Sequence, residues 1–165
     1  MLKVASYDIV FQEIPGEVTL ALNLSNCPCH CHGCHSPHLW EDIGEPLDEP
    51  LLDALINKYA GLITCVCFMG GDQAPDEVAA LAAYIKNTLP LREGQGVGLK
   101  VAWYSGRQRE LPSLQGGDGG RPVFDYVKLG PYVESLGGLK SKTTNQRLYA
   151  RIGNEWQDIT AKFWR

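Results

Sequence analysis

The chain has 165 residues and a mass of 18.2 kDa, enough for one domain with its own core and too little for two ordinary ones, so residues 1–165 are read as a single domain. Its 44% hydrophobic and 21% charged residues exclude a chain too polar to fold. The net charge of -4 excludes the basic footprint that phosphate-backbone neutralisation requires, and nucleic acid is not an expected partner.

The opening "MLKVASYDIVFQEIPGEV" has acidic and polar residues through its first turns and no uninterrupted apolar core before a small-residue cleavage site, so it does not read as a signal peptide. No stretch approaches the roughly 18 consecutive apolar residues of a membrane span, and no membrane partner is expected. The expected compartment is the cytoplasm. Thiols stay reduced there, so six cysteines argue for a metal or a reactive thiol rather than a disulfide frame.

Residues 18–24, "VTLALNL", alternate Val18, Leu20, Leu22 and Leu24 onto one face of a strand. A cysteine-rich segment follows at once, in the loop leaving the strand's C-terminal end, where open α/β sheets and barrels build their sites. "LDEPLLDALINKYAG" reads as a helix with Asp48 as N-cap, Pro50 in its first turn, Leu51, Leu52, Leu55, Ile56 and Tyr59 on one face, and Gly61 at its end. Residues 62–68, "LITCVCF", form the nearly continuous apolar run of a strand buried on both faces, ending in "MGGDQAP". A second helix over 75–89 turns Val78, Leu81, Ala82 and Ile85 inward, with Asp76, Glu77 and Lys86 outward. Residues 97–104 are the next strand, ending in "SGRQ". Residues 113–122 read as a flexible connection, "VFDYVKLG" as a strand, and "LYARI", the turn Gly153-Asn154 and "EWQDI" as a hairpin.

This alternation predicts an α/β fold: a mostly parallel sheet with right-handed crossovers and a C-terminal hairpin. A full eight-stranded (β/α) barrel takes about 250 residues, so the expectation is a small partial barrel.

The segment 26–38, "NCPCHCHGCHSPH", holds four of the six cysteines and all four histidines. Three readings compete. Free cysteine is often a small buried hydrophobe; that suits Cys65 and Cys67 on one face of an apolar strand, but not thiols set among Pro28, His30, His32, Gly33 and His35. Zinc could use Cys31-x-x-Cys34 with nearby histidines, although structural zinc sites usually draw a second ligand pair from about 12 to 20 residues away. The third reading takes Cys27-x3-Cys31-x2-Cys34: three thiolates hold three irons of a four-iron, four-sulfur cube and leave the fourth iron open to a substrate.

That motif after the first predicted parallel strand, with Gly70-Gly71-Asp72 at the end of the next, resembles the radical S-adenosylmethionine (SAM) enzymes. More narrowly, the chain is similar to the activating proteins of anaerobic ribonucleoside-triphosphate reductases, which are glycyl-radical enzymes. The likeness runs through "GEVTLALNLSNCPCHCHGCHSPHLWE", "FMGGD", "YSG" and "VKLGPYVESLGGLKSKTTNQRLY". It implies a partial barrel of the radical SAM type, one 4Fe-4S cluster on Cys27, Cys31 and Cys34, and SAM chelating the open iron by its amino and carboxylate groups. Gly70 and Gly71 would let backbone approach the methionyl group, with Asp72 assisting by charge or by fixing the turn. Ser105 and Gly106 match a position that helps bind the cofactor, and His35 is the histidine best placed to tune the cluster. Cys29 is either a bystander or an auxiliary ligand. Two positions depart from the wider pattern: Gln73 stands where many relatives have proline, and Gly33 replaces an aromatic residue, as it does in this activase subgroup.

The implied reaction is one-electron reduction of the cluster, by a flavodoxin-type or similar donor, and cleavage of SAM to methionine and a 5'-deoxyadenosyl radical. That radical takes hydrogen from a backbone glycine of the reductase. The alternatives are an activase of another glycyl-radical enzyme and a zinc-binding module without catalysis. "GQGVG" and "GGDGG" lack the Lys-Ser or Lys-Thr of a phosphate-binding loop and read as connectors. Trp40, Trp103, Trp156 and Trp164 read mostly as packing, and the tail "ITAKFWR" as a segment able to dock on a partner.

Overall fold

The structure, a computed structural model, describes residues 1–88, 98–110 and 123–164. The chain runs through strands β1 (Lys3–Val10), β2 (Thr19–Leu24) and β3 (Glu45–Pro46), helix α1 (Glu49–Lys58), β4 (Cys65–Met69), α2 (Pro75–Thr88), β5 (Lys100–Tyr104), β6 (Tyr126–Leu129), β7 (Arg147–Ile152) and β8 (Glu155–Asp158). All eight strands join one sheet in the order β3-β1-β2-β4-β5-β6-β7-β8.

This corrects the expected mostly parallel, partial (β/α) barrel of the radical SAM type. The sheet is mixed. The pairs β2–β4, β4–β5 and β5–β6 are parallel, but β3–β1, β1–β2, β6–β7 and β7–β8 are antiparallel. A barrel of that kind needs a helix after each parallel strand to bring the chain back in the same direction. Among the described residues there are two α-helices, and on both flanks of the parallel centre the chain reverses through a connection without one. β1 was not anticipated because polar residues interrupt it: Val4 is its one fully buried side chain, and the register shifts between Val4 and Ser6.

The two helices cover one face of the sheet. The Asp48 side chain caps α1 by accepting the Leu51 N–H at 2.9 Å, which orients Leu52, Leu55 and Ile56 inward. Val78, Ala82 and Ile85 of α2 join them against Leu20, Leu22, Val66, Phe68, Val101 and Trp103. Each fully buried Leu, Ile, Val or Phe among them contributes about 1.5–3 kcal/mol over its exposed state. The alternate residues of the same strands, Cys65, Cys67 and Ala102, face the other way and are covered by Ile14, Ile159, Leu139 and Phe163.

The hairpin turns at Gly153 with φ 62°. Leu89, Val97, the Gly-rich residues 94–97, the connection 113–122 and Arg165 lie outside the described residues. Among the described residues, no helix is long and apolar enough to cross a membrane.

Candidate metal centre

The cysteine loop begins where β2 runs out. Its backbone is tied across itself: the Ser25 N–H donates to Lys3 O at 3.1 Å, the Asn26 N–H to Glu41 O at 3.1 Å, and the Cys27 N–H to Leu39 O at 2.9 Å. Two non-glycine residues take the left-handed conformation, Asn26 at φ 60° and His30 at φ 43°. Local contacts offset that cost, since Asn26 donates to Asp42 at 3.2 Å and the His30 ring stacks on Trp40 with centroids 4.7 Å apart. The Cys34 N–H closes a turn onto Cys31 O at 3.1 Å, and the Ser36 N–H points at Cys34 Sγ at 3.4 Å. Cys27, Cys29, Cys31 and Cys34 are all free and half-buried.

Beside the loop, the ends of β4 and β5 form a hydrogen-bonded knot around Asp72. Its carboxylate accepts from the Ser105 hydroxyl, from the Gly106 N–H at 2.9 Å and from Arg109 Nη2 at 3.0 Å. Burial alone would raise the Asp72 pKa, but these donors outweigh it and hold the carboxyl below the usual range. Gly71, at φ 87°, leaves room that a Cβ would take to within 2.6 Å of Val78 and 3.0 Å of Leu24. The Gly70 carbonyl accepts the Trp103 indole N–H at 2.7 Å, and the Gly71 carbonyl accepts the Ala74 N–H at 3.0 Å.

Cys29 is the thiol nearest this knot, 3.7 Å from Asp72 Oδ2. Burial, the Asp72 charge and Cys27 push its pKa up to about 12, so it keeps its proton at neutral pH. His35 stands 5.2 Å from Tyr132 by ring centroids and lines a pocket of about 370 Å³ with Tyr104, Leu139 and Phe163. His32 Nδ1 meets Glu134 at 2.9 Å. The fold thus gathers Cys27, Cys29, Cys31, Cys34, Gly70, Gly71, Asp72, Ser105 and Gly106 around the C-terminal ends of three adjacent parallel strands.

Among the described residues, no three His, Cys, Asp or Glu side chains stand close enough to hold a metal ion, so the loop offers a donor set rather than an assembled cage. The chemistry of that set fits iron and sulfide: several free, partly desolvated thiols on one loop, one of them facing a backbone N–H. Cys65 and Cys67 are fully buried in the second-face cluster with Ala102 and Leu148, so they cannot serve as a distant second cysteine pair for zinc.

A family model described as a 4Fe-4S single cluster domain matches residues 15–107, more than half of the chain. The chain belongs to the 4Fe-4S single cluster domain family. No curated protein and no solved structure matches it. The membership supports a 4Fe-4S cluster, and the matched span runs from just before β2 to just beyond Gly106.

Several residues of this iron-sulfur domain's site were not singled out from sequence. Arg109 reaches Asp72 and also lies over the Trp103 ring at 4.8 Å. Its only signal was its place four residues after Ser105. Tyr132 and Glu134 come from the "GPYVE" stretch and meet the cysteine loop from the far side of the sheet's parallel centre. Lys128 interrupts an apolar strand, which is a readable anomaly: a charged residue between Val127 and Leu129.

Proposed function

We propose that the chain is an iron-sulfur radical SAM activase that generates the glycyl radical on an anaerobic (class III) ribonucleoside-triphosphate reductase. The observation that carries this reading is the Cys27-x3-Cys31-x2-Cys34 spacing in a 4Fe-4S domain, beside Gly70-Gly71-Asp72 on the neighbouring parallel strand. Cys27, Cys31 and Cys34 would hold the cluster. When bound, the cluster supplies the electron that cleaves the SAM sulfonium to methionine and a 5'-deoxyadenosyl radical, which takes hydrogen from a glycine of the partner.

The chain's own residues bind and orient. Gly70 and Gly71, at φ 105° and 87°, form the turn just beyond β4, where SAM's methionyl group would approach, and the side of Gly71 without a Cβ packs on Val78 and Leu24. Asp72, fixed by Ser105, Gly106 and Arg109, holds the β4 and β5 ends in register beneath the loop. Cys29 falls between the first and second cysteines of the x3–x2 spacing and stays out of the ligand set, resting beside Asp72 at 3.7 Å. Tyr132 and the exposed His35, their ring centroids 5.2 Å apart, stand at one side of the site.

The whole chain is taken as the active unit, working in the cytoplasm with the reductase and a one-electron donor of flavodoxin type. The test is anaerobic expression with iron and sulfide, then incubation with dithionite and SAM, then mixing with a candidate reductase. The expected results are 5'-deoxyadenosine release and a glycyl doublet by electron paramagnetic resonance. Colourless protein with stoichiometric zinc would remove the reading.

A further inference from the structure

Lys128 has a position that lysine rarely takes. On β6 it points away from Val127 and Leu129, onto the sheet's second face, and is 8% exposed. Its ammonium donates to Gly130 O at 2.9 Å and Ser105 O at 3.2 Å, and stands 5.9 Å from the Tyr104 ring centre. Among the described residues it joins no ion pair. A buried charge without a counter-charge is costly. The carboxylate one step away, Asp72, is already engaged by Ser105, Gly106 and Arg109.

Asp72 is the strongest of the negative groups that favour the charge of Lys128, and through Ser105 and Asp72 the contacts of Lys128 lead to Cys29 of the cysteine loop. Burial pushes the Lys128 pKa down to about 8, while Asp72, Cys31, Cys29 and Cys27 favour its charged form. Ser105 links the two sides directly: its carbonyl takes the Lys128 proton donor and its hydroxyl binds the carboxylate against which Cys29 rests.

We infer that Lys128 is the fixed counter-charge of the cysteine loop, offsetting the negative charge of its thiolates and of the electron that a cluster bound there must accept. The inference rests on the cluster placement given under the proposed function, and not on SAM. Accepting that electron makes and breaks no bond: one unit of negative charge is gained, and a flavodoxin-type donor is oxidised by one electron. A cation in low-dielectric surroundings favours the more negative state, so Lys128 raises the reduction potential of the site.

The test uses the cluster-loaded full chain in four forms, wild type, Lys128→Gln, Lys128→Met and Lys128→Arg, titrated for midpoint potential by electron paramagnetic resonance without SAM. Both neutral variants are expected to shift to more negative potential, and the arginine variant to stay near wild type. Two neutral shapes keep the test open if one fails to fold. Neutral variants that fold by circular dichroism but retain several-fold less iron than the arginine variant also support the inference. Loaded neutral variants with the wild-type potential, or an arginine variant shifted as far as they are, overturn it. Unshifted potentials in a protein that still cleaves SAM would remove the role of Lys128 and leave the proposed function standing. A shift without SAM cleavage would do the reverse.

Discussion

Cys29 packs against Gly106 so closely that a Cβ on the glycine would lie 2.8 Å from the cysteine sulfur. The thiol and the β5 terminus therefore share one space. Gly106→Ala is expected to cost about 1–2 kcal/mol in the apo protein, the usual range for overfilling a packed site. Cys29→Ala should recover most of that loss in the double variant, and urea unfolding of the four-member cycle measures the coupling. Additive effects would show that the two positions do not compete.

The ligand spacing makes a sharper forecast for the loop. Alanine at Cys27, Cys31 or Cys34 is expected to abolish iron and sulfide retention, whereas Cys29→Ala should keep both at the wild-type level. Metal analysis and visible absorbance after anaerobic reconstitution give the answer. A Cys29→Ala protein as empty as the other three would place the fourth thiol among the ligands.

Asp72 ties the site to folding. Its side chain is 1% exposed and accepts three donors, so Asp72→Ala should destabilise the apo chain by about 2–3 kcal/mol, as expected for hydrogen bonds to a buried charge. Arg109, 21% exposed by its side chain, can turn towards water and keeps the loss from growing larger. Because the folded carboxyl titrates below the ordinary aspartate value of 3.8, its stabilisation is complete above that pH. It is lost as pH falls from there through the lowered folded value. Acid unfolding of Asp72→Asn should accordingly be less steep than that of wild type in that window.

Much of the fold was legible because it is written in local patterns. The Asp48 cap, the Leu52, Leu55 and Ile56 stripe, the buried run at Cys65–Met69 and the turn at Gly153 each follow from neighbours in sequence. Strand direction is different in kind. Nothing local in "KVASYDIV" says that it pairs antiparallel to β2, and the expected parallel barrel gave way to a mixed sheet on that account. The site divides in the same way. Thiol spacing and the glycine pair could be read directly, while Arg109 and Lys128 matter through partners 37 and 23 residues away, which no spacing rule reveals.

Gly71 offers a check on the β4 terminus. At φ 87°, with Val78 2.6 Å from the position of an added Cβ, Gly71→Ala combines left-handed strain with a core clash. A loss of about 2–4 kcal/mol is expected from the two effects together. A thermal melt within a degree or two of wild type would mean that the turn is looser than the packing of Val78 and Leu24 implies.

A cluster held by three cysteines would leave one iron for SAM. Mössbauer spectroscopy of protein reconstituted with iron-57, recorded before and after SAM is added, tests it most directly. The expected result is a 4Fe-4S spectrum in which one iron site of the four changes on addition. Four sites that ignore SAM, or no 4Fe-4S signal at all, would contradict it.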